Sequence, residues 1–163
     1  MGNTKGYYHP RARTSAPKTP QVVYTDGMAL RNGQADASGG VGIYFGPEDS
    51  RNISEPLKGT CQTNQRAGLE AIKRAIESTP RNIPLQVLTD SRYAVGGLSD
   101  WGDRWESNGW TNSRGQPVAN KDLFKEIGGL VKERTAPTTF EHVYAHRGSH
   151  GNQQAGNLAR RGA

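Results

Sequence analysis

The sequence predicts an α/β fold in which helices cover a five-stranded sheet. Residues 22–27 and 85–91 are apolar, β-prone runs that reach a Thr-Asp pair followed by a small residue. Runs of this kind are typical of strands that end at the edge of a sheet. Between them, small and apolar residues recur at helical spacing over residues 63–78, which predicts a helix. Strand and helix patterns that alternate in this way indicate a layered α/β domain.

The other elements follow in order along the chain. A Gly-containing loop at residues 31–40 precedes a second strand at 41–45, and a weaker third strand at 52–59 closes an antiparallel meander. Thr63 is the expected N-cap of the first helix. The second half of the chain predicts two short helical pieces, a loop with Gly115 and Pro117, a helix over about 120–133, a strand over 138–144 and a last helix from about 152.

Charge divides the 163 residues into two parts. Residues 1–20 contain Lys5, Arg11, Arg13 and Lys18, no acidic residue, and several prolines, so we expect a disordered basic arm. Residues 21–163 have the length of one compact domain. An organellar targeting segment is the alternative interpretation of the arm.

Composition excludes several classes of protein. Only 33% of the residues are apolar and no apolar run approaches the ~18 residues of a membrane span. The single cysteine, Cys61, excludes a disulfide framework. Because no secretory signal pattern is evident, we expect an intracellular protein of the nucleus or cytoplasm, with the mitochondrion as the alternative if the arm is a targeting segment.

Two features point towards a polyanionic substrate and a metal. The net charge of +6 raises the expectation of a nucleic-acid partner. If strands 22–27 and 85–91 are parallel neighbours, Asp26 and Asp90 converge, and two close carboxylates are costly unless a cation lies between them. We therefore expect Mg²⁺ or Mn²⁺ at this point. The alternative is that each Asp only caps a strand-to-turn transition.

Six motifs together resemble ribonuclease H type 1, in its cellular, eukaryotic-like branch, over about residues 21–162. In chain order they are Tyr24-Thr25-Asp26-Gly27, Thr63-Asn64-Gln65-Arg66-Ala67, Thr89-Asp90-Ser91, the tryptophans at 101, 105 and 110, Asn120-Lys121-Asp122 and His146-Arg147-Gly148. The resemblance implies the RNase H-like fold, a mixed five-stranded sheet flanked by helices. It also implies cleavage of the RNA strand of an RNA–DNA hybrid with two divalent metals.

The resemblance also identifies an incomplete set of metal ligands. Family members use four carboxylates; Asp26 matches the first, which bridges both metals, and Asp90 matches the third. The second and fourth positions are occupied by Gly68 and Gly156. Neighbouring side chains do not restore them, since Glu70 lies about 200° around the helix from Gly68. The alternative interpretation is that the glycines serve tight helix–sheet packing.

Three functions follow from this pattern. The first is an RNase H-like domain that binds hybrid while its metal binding is weakened and its catalysis is lost or strongly impaired. The second is an active two-metal ribonuclease H. The third is a non-catalytic protein-interaction scaffold in a larger assembly, so a protein partner is an additional expectation. We expect a monomer without membrane association.

The motifs that would contact nucleic acid are more complete than the metal ligands. The resemblance implies a DNA-strand channel lined by Tyr93, Trp101 and Trp105, a DNA-phosphate pocket of Thr63, Asn64 and Asn120, and recognition of RNA 2′-hydroxyls by Asn32, Asn64 and Gln65. Close relatives add an Arg to the phosphate pocket where this chain has Cys61. His146 matches a loop histidine that helps to move protons or release product. Trp110 is expected to belong to the core.

Overall fold

The computed structural model describes residues 18–144 and 149–163, and it contains the predicted elements in the predicted order. The strands are β1 (Gln21–Leu30), β2 (Ser38–Tyr44), β3 (Ile53–Pro56), β4 (Leu85–Thr89) and β5 (Thr138–His142). The helices are α1 (Asn64–Glu77), α2 (Arg92–Gly96), α3 (Gly102–Ser107), α4 (Lys121–Lys132) and α5 (His150–Gly162), with a π-helical turn at Gly97–Trp101 between α2 and α3. Most of the predicted arm and His146 lie outside the described residues.

The sheet is mixed, as the resemblance implies. Its strand order is β3-β2-β1-β4-β5. Strands β1, β2 and β3 pair antiparallel, whereas β1–β4 and β4–β5 are parallel. The carboxyl ends of β1, β4 and β5 therefore point towards the same edge of the sheet, which confirms the predicted parallel pairing of the two Thr-Asp strands.

One predicted boundary is wrong in an informative way. Strand β1 does not stop at Asp26; it continues to Leu30 because Asp26 through Leu30 pair with Gly42 through Ser38 of β2. On its other side, pairing with β4 ends at Thr25↔Thr89. Asp26 thus lies inside a strand whose β4 neighbour has just ended, and a cleft opens on that side.

The two faces of the sheet are covered by different helices. Helix α1 packs over one face and α4 packs against α1, and the buried side chains of the main core lie on this side. Helix α5 covers the other face, over β1, β2 and β3. No helix in the described part of the chain is long and apolar enough to cross a membrane.

Close backbone approach at two glycines brings these helices onto the strand that carries Asp26. A Cβ on Gly27 would lie 2.1 Å from the carbonyl carbon of Ala67 in α1. A Cβ on Gly42, the β2 partner of Asp26, would lie 2.1 Å from the carbonyl oxygen of Ala155 in α5. Side chains at these two positions would push α1 and α5 away from the sheet.

We expect Gly27→Ala to lower the free energy of unfolding by about 3 kcal/mol, the upper end of the usual cost of overpacking, because the neighbour is backbone and cannot rotate away. Gly129→Ala in α4 is the matched control, because a Cβ at this position would meet nothing outside its own helix within 4 Å. This variant should gain up to ~1 kcal/mol of stability from helix propensity. Urea unfolding measures both. Equal stability of Gly27→Ala and the unsubstituted protein would contradict the close approach.

Candidate active site

Asp26 and Asp90 meet at the edge of the sheet. Each directly follows a residue of the last β1–β4 pair, Thr25↔Thr89. Both carboxylates line an open cavity of about 370 Å³, and α5 forms its opposite wall. The remaining lining residues are Met28, Asn152, Gln153, Gly156, Asn157 and Arg160. The predicted convergence of the two carboxylates is therefore present in the fold.

The environment of Asp26 disfavours its negative charge. Burial, and then the nearby Asp90 carboxylate, raise the pKa of Asp26 from 3.8 to about 7. The hydrogen bond donated by the Gly27 N–H, at 2.8 Å, and the charge of Arg160 oppose this rise without cancelling it. A cation bound beside Asp26 would lower this pKa again, because it would favour the charged form of the carboxyl.

Of the two glycines that replace expected carboxylates, Gly156 lies beside the Asp26 carboxylate, and Gly68 packs against Gly27, the next residue of β1. A Cβ on Gly156 would lie 3.2 Å from Oδ2 of Asp26 and, outside its own helix, would meet nothing else within 4 Å. Gly68 is next to the sheet, since its backbone nitrogen lies 2.3 Å from the position of a Cβ on Gly27. Nevertheless, a Cβ on Gly68 itself would meet nothing within 4 Å.

Packing therefore does not require glycine at either position. The space at Gly68 is open, and the neighbour at Gly156 is the end of a side chain that can shift by a few tenths of an ångström. The alternative interpretation that these glycines serve tight helix–sheet packing is wrong. What the two positions lack is a side chain, and in a helix this absence costs ~1 kcal/mol relative to Ala.

The remaining donors fit one hard cation better than two. Asp26 and Asp90 supply carboxylate oxygens, and water would complete the coordination of Mg²⁺ or Mn²⁺. Within residues 18–144 and 149–163, no group of three His, Cys, Asp or Glu side chains is placed to hold a metal ion. Arg160 lies in the same cavity and adds a fixed positive charge. The set is poorer in anionic oxygen than two adjacent dications require.

Four of the predicted nucleic-acid contacts cluster around the start of α1. Oγ1 of Thr63 accepts a hydrogen bond from the backbone N–H of Arg66 at 3.1 Å, so Thr63 is the N-cap. Oδ1 of Asn64 accepts from the N–H of Ala29 at 2.7 Å, and Oδ1 of Asn32 accepts from the N–H of Asn64 at 3.0 Å. These bonds leave the amide N–H groups of both asparagines available for a ligand. Gln65 is exposed next to them.

Asn120 is fixed next to this cluster by bonds that the sequence did not predict. It precedes α4 in a left-handed conformation with φ of 58°. Its Nδ2 donates to the Tyr93 hydroxyl at 3.1 Å, and its Oδ1 accepts from the Arg66 guanidinium at 3.3 Å. Arg66 also pairs with Asp122. Arg66 is part of the motif at residues 63–67, but its partners lie 54 and 56 residues away in the sequence. No sequence pattern identifies them as partners.

The three tryptophans form a graded row from solvent to core. Trp101 is 37% exposed and Trp110 only 9%, which confirms that Trp110 belongs to the core. Trp105 lies between them, with ring centroids 5.7 Å from Trp101 and 5.9 Å from Trp110, and it also packs on Phe124. Trp101 is the member of the row with the most exposed ring, and Trp105 packs against it.

Comparison with known proteins decides the family. The family model described as RNase H matches residues 18–163. The chain belongs to the RNase H family. Ribonuclease H of Schizosaccharomyces pombe is 46% identical over 143 residues, which are 88% of this chain and 53% of that protein. Ribonuclease H1 of Rattus norvegicus is 40% identical over 144 residues, or 87% of this chain and 50% of that protein.

The RNase H fold is equally clear from solved structures. A foamy viral protease–reverse transcriptase in complex with RNA/DNA hybrid superimposes with a TM-score of 0.71 at 26% identity, covering 94% of this chain and 22% of that one. The resemblance inferred from the motifs is thus confirmed. The chain spans about half the length of the two curated relatives, so their whole-protein activities are not transferred with the family.

We expect Asp26→Asn to stabilise the metal-free protein in a pH-dependent way. Because the folded pKa of about 7 exceeds the usual 3.8, Asp26 favours folding below pH ~4, and this contribution is lost as the pH rises to ~7. At ~1.4 kcal/mol per pKa unit, the free energy of unfolding of the variant, relative to that of the unsubstituted protein, should rise by on the order of 3–4 kcal/mol between these limits. The difference should level off above pH ~8. Urea unfolding in EDTA measures the difference, and a pH-independent difference would contradict the burial of this carboxyl.

Proposed function

We propose that this RNase H domain binds RNA–DNA hybrids, and that its cleavage of the RNA strand is lost or strongly impaired. Family membership and the cluster of polar and aromatic side chains around α1, α2 and α4 support hybrid binding. The observation that carries the impairment is the pair of helical glycines, Gly156 beside the Asp26 carboxylate and Gly68 against Gly27, where side chains would fit and none is present.

The chemistry explains why two missing carboxylates matter. In two-metal hydrolysis, the ions lower the pKa of the attacking water and stabilise the leaving oxygen. In this chain, Asp26 and Asp90 would hold a metal, and the formal charge of the ligand set is −2 where the family pattern gives −4. We therefore propose weakened binding of Mg²⁺ or Mn²⁺ and poor positioning of whatever metal is bound.

Hybrid cleavage should be at least ~10³-fold slower than in a four-carboxylate relative, since metal catalysis supplies several kcal/mol and each 1.36 kcal/mol is tenfold. Single-turnover rates on a labelled RNA–DNA hybrid in Mg²⁺ and in Mn²⁺ measure this. Gly68→Glu combined with Gly156→Asp should recover metal-dependent cleavage.

The matched control for this restoration is Gly68→Gln with Gly156→Asn, which adds side chains of nearly the same size without charge and should remain inactive. A turnover close to that of a four-carboxylate relative in the unsubstituted protein would favour the active-nuclease alternative. An inert acidic double variant that still folds would show that the glycines are not the cause of the defect.

Binding should survive the loss of catalysis. The absence of two carboxylates removes repulsion of the scissile phosphate that metals would otherwise neutralise. The net charge of +6, the exposed ring of Trp101 and the amide of Asn120 remain for contacts to the phosphates and bases. We therefore propose that the chain binds hybrid without divalent metal at least as tightly as with it.

Trp101→Ala should weaken hybrid binding by ~1–3 kcal/mol, the usual value of an aromatic stacking contact. Fluorescence anisotropy in EDTA, titrated against salt on hybrid, duplex DNA and duplex RNA, measures the effect together with strand preference. Equal affinity for the three duplexes would show that the chain binds polyanions in general, without preference for hybrid. No affinity for any of them would favour the protein-scaffold alternative.

A further inference from the structure

The pocket of Thr63, Asn64 and Asn120 has neutral donors, and the Arg that close relatives add to it is Cys61 in this chain. A hydroxyl and two amides can position a phosphate, but charge-assisted bonds from Lys or Arg are about twice as strong as neutral ones. A phosphate pocket built from these three residues alone would be weak. The charged groups packed around it therefore decide what it can hold.

Arg66 is the cation at this pocket. It lies in the first turn of α1, directly after Thr63, Asn64 and Gln65, and its Nη1 donates to Oδ1 of Asn120 at 3.3 Å. Its side chain is 22% exposed. The exposed Cys61 lies near this guanidinium. The guanidinium is thus in contact with the pocket and fixed by the helix that carries two of its members.

The fork of Arg66 is occupied by a carboxylate. Nη1 and Nη2 donate to Oδ1 and Oδ2 of Asp122, at 3.0 Å and 2.5 Å. The hydrogen bond with Asp122 is also the main reason that the pKa of Arg66 is raised and that of Asp122 is lowered. A carboxylate and a phosphate present two oxygens to the guanidinium fork in the same way. Asp122 thus takes the position that a phosphate would take.

The two partners differ in how easily they can leave the pair. The Asp122 side chain is 59% exposed at the start of α4, whereas Arg66 is mostly covered. When Asp122 leaves the pair its exposed carboxylate is hydrated, and a phosphate takes its place at the guanidinium, so the exchange leaves neither charge without a partner. We propose that Arg66 is the phosphate-binding cation of this pocket and that Asp122 competes with the nucleic acid for it. This inference rests on the proposed hybrid binding.

The test is a gain of affinity. Asp122→Asn keeps the size of the side chain but removes the competing charge, so hybrid should bind about three- to tenfold more tightly in EDTA at fixed salt. Arg66→Gln should weaken binding and lower the slope of log K against log salt by ~1. In the double variant the gain from Asp122→Asn should disappear, because the cation it frees is absent.

Glu126→Gln is the matched control. Glu126 is an exposed acid of the same helix that also pairs with a cation of α1, Lys73, but neither residue belongs to the pocket. The Glu126→Gln substitution changes the net charge by the same amount as Asp122→Asn. An equal gain in both variants would reduce the effect to general charge and overturn the inference, as would a gain that persists in the Arg66→Gln background.

Neutral methylphosphonate linkages, placed one at a time along the DNA strand, locate the contact. The gain from Asp122→Asn should vanish when one particular DNA linkage is neutral and persist when any other is. The same series in the RNA strand is the comparison: if the gain vanishes only there, the assignment of this pocket to a DNA phosphate is wrong. If the unsubstituted protein binds hybrid and Asp122→Asn binds no better, the inference alone fails. If neither binds, the proposed function fails with it.

Discussion

The parallel pairing of β1 with β4 is the constraint on which the rest of the site depends. Its last pair, Thr25↔Thr89, makes Asp26 and Asp90 neighbours at a point where one strand continues and the other ends. Continuation of β1 along β2 keeps the Asp26 backbone in a ladder, so the carboxyl starts from a fixed backbone position and is largely buried. The raised pKa of Asp26 is the electrostatic consequence. A cation bound at this site would offset the cost of charging the buried Asp26 carboxyl.

Helices α1 and α5 approach the strand that carries Asp26 because the sheet has glycine at the two points of contact. Gly27 lets the backbone of α1 touch β1, and Gly42 does the same for α5 against β2. These contacts bring Gly68 of α1 against Gly27 and Gly156 of α5 against the Asp26 carboxylate. The structure therefore distinguishes two kinds of glycine around this strand: those that the packing requires, and those at which a side chain would have space.

The order of elements, the mixed sheet and the convergence of Asp26 with Asp90 were predictable because each depends on a local pattern or on the pairing of two similar strands. The continuation of β1 was not, since it depends on how far β2 extends. The Arg66–Asn120–Asp122 network was also missed. Its members come together only when α1 packs on α4, and Arg66 in isolation has the pattern of an ordinary helical surface residue. The role of His146 stays a prediction, because that residue lies outside the described part.

Binding and catalysis depend on different parts of this fold. The carboxylates project from the edge of the sheet towards α5, whereas Thr63, Asn64, Asn120 and the tryptophans are positioned by α1, α2, α3 and α4. Removal of side chains at positions 68 and 156 leaves the second group in place. It also lowers the density of negative charge where a phosphate must approach, a repulsion that only bound metal would otherwise offset. With Arg160 in the cavity and Arg66 hydrogen-bonded to Asn120, the positive charges of this chain support the proposal that it binds a nucleic acid and cleaves it poorly.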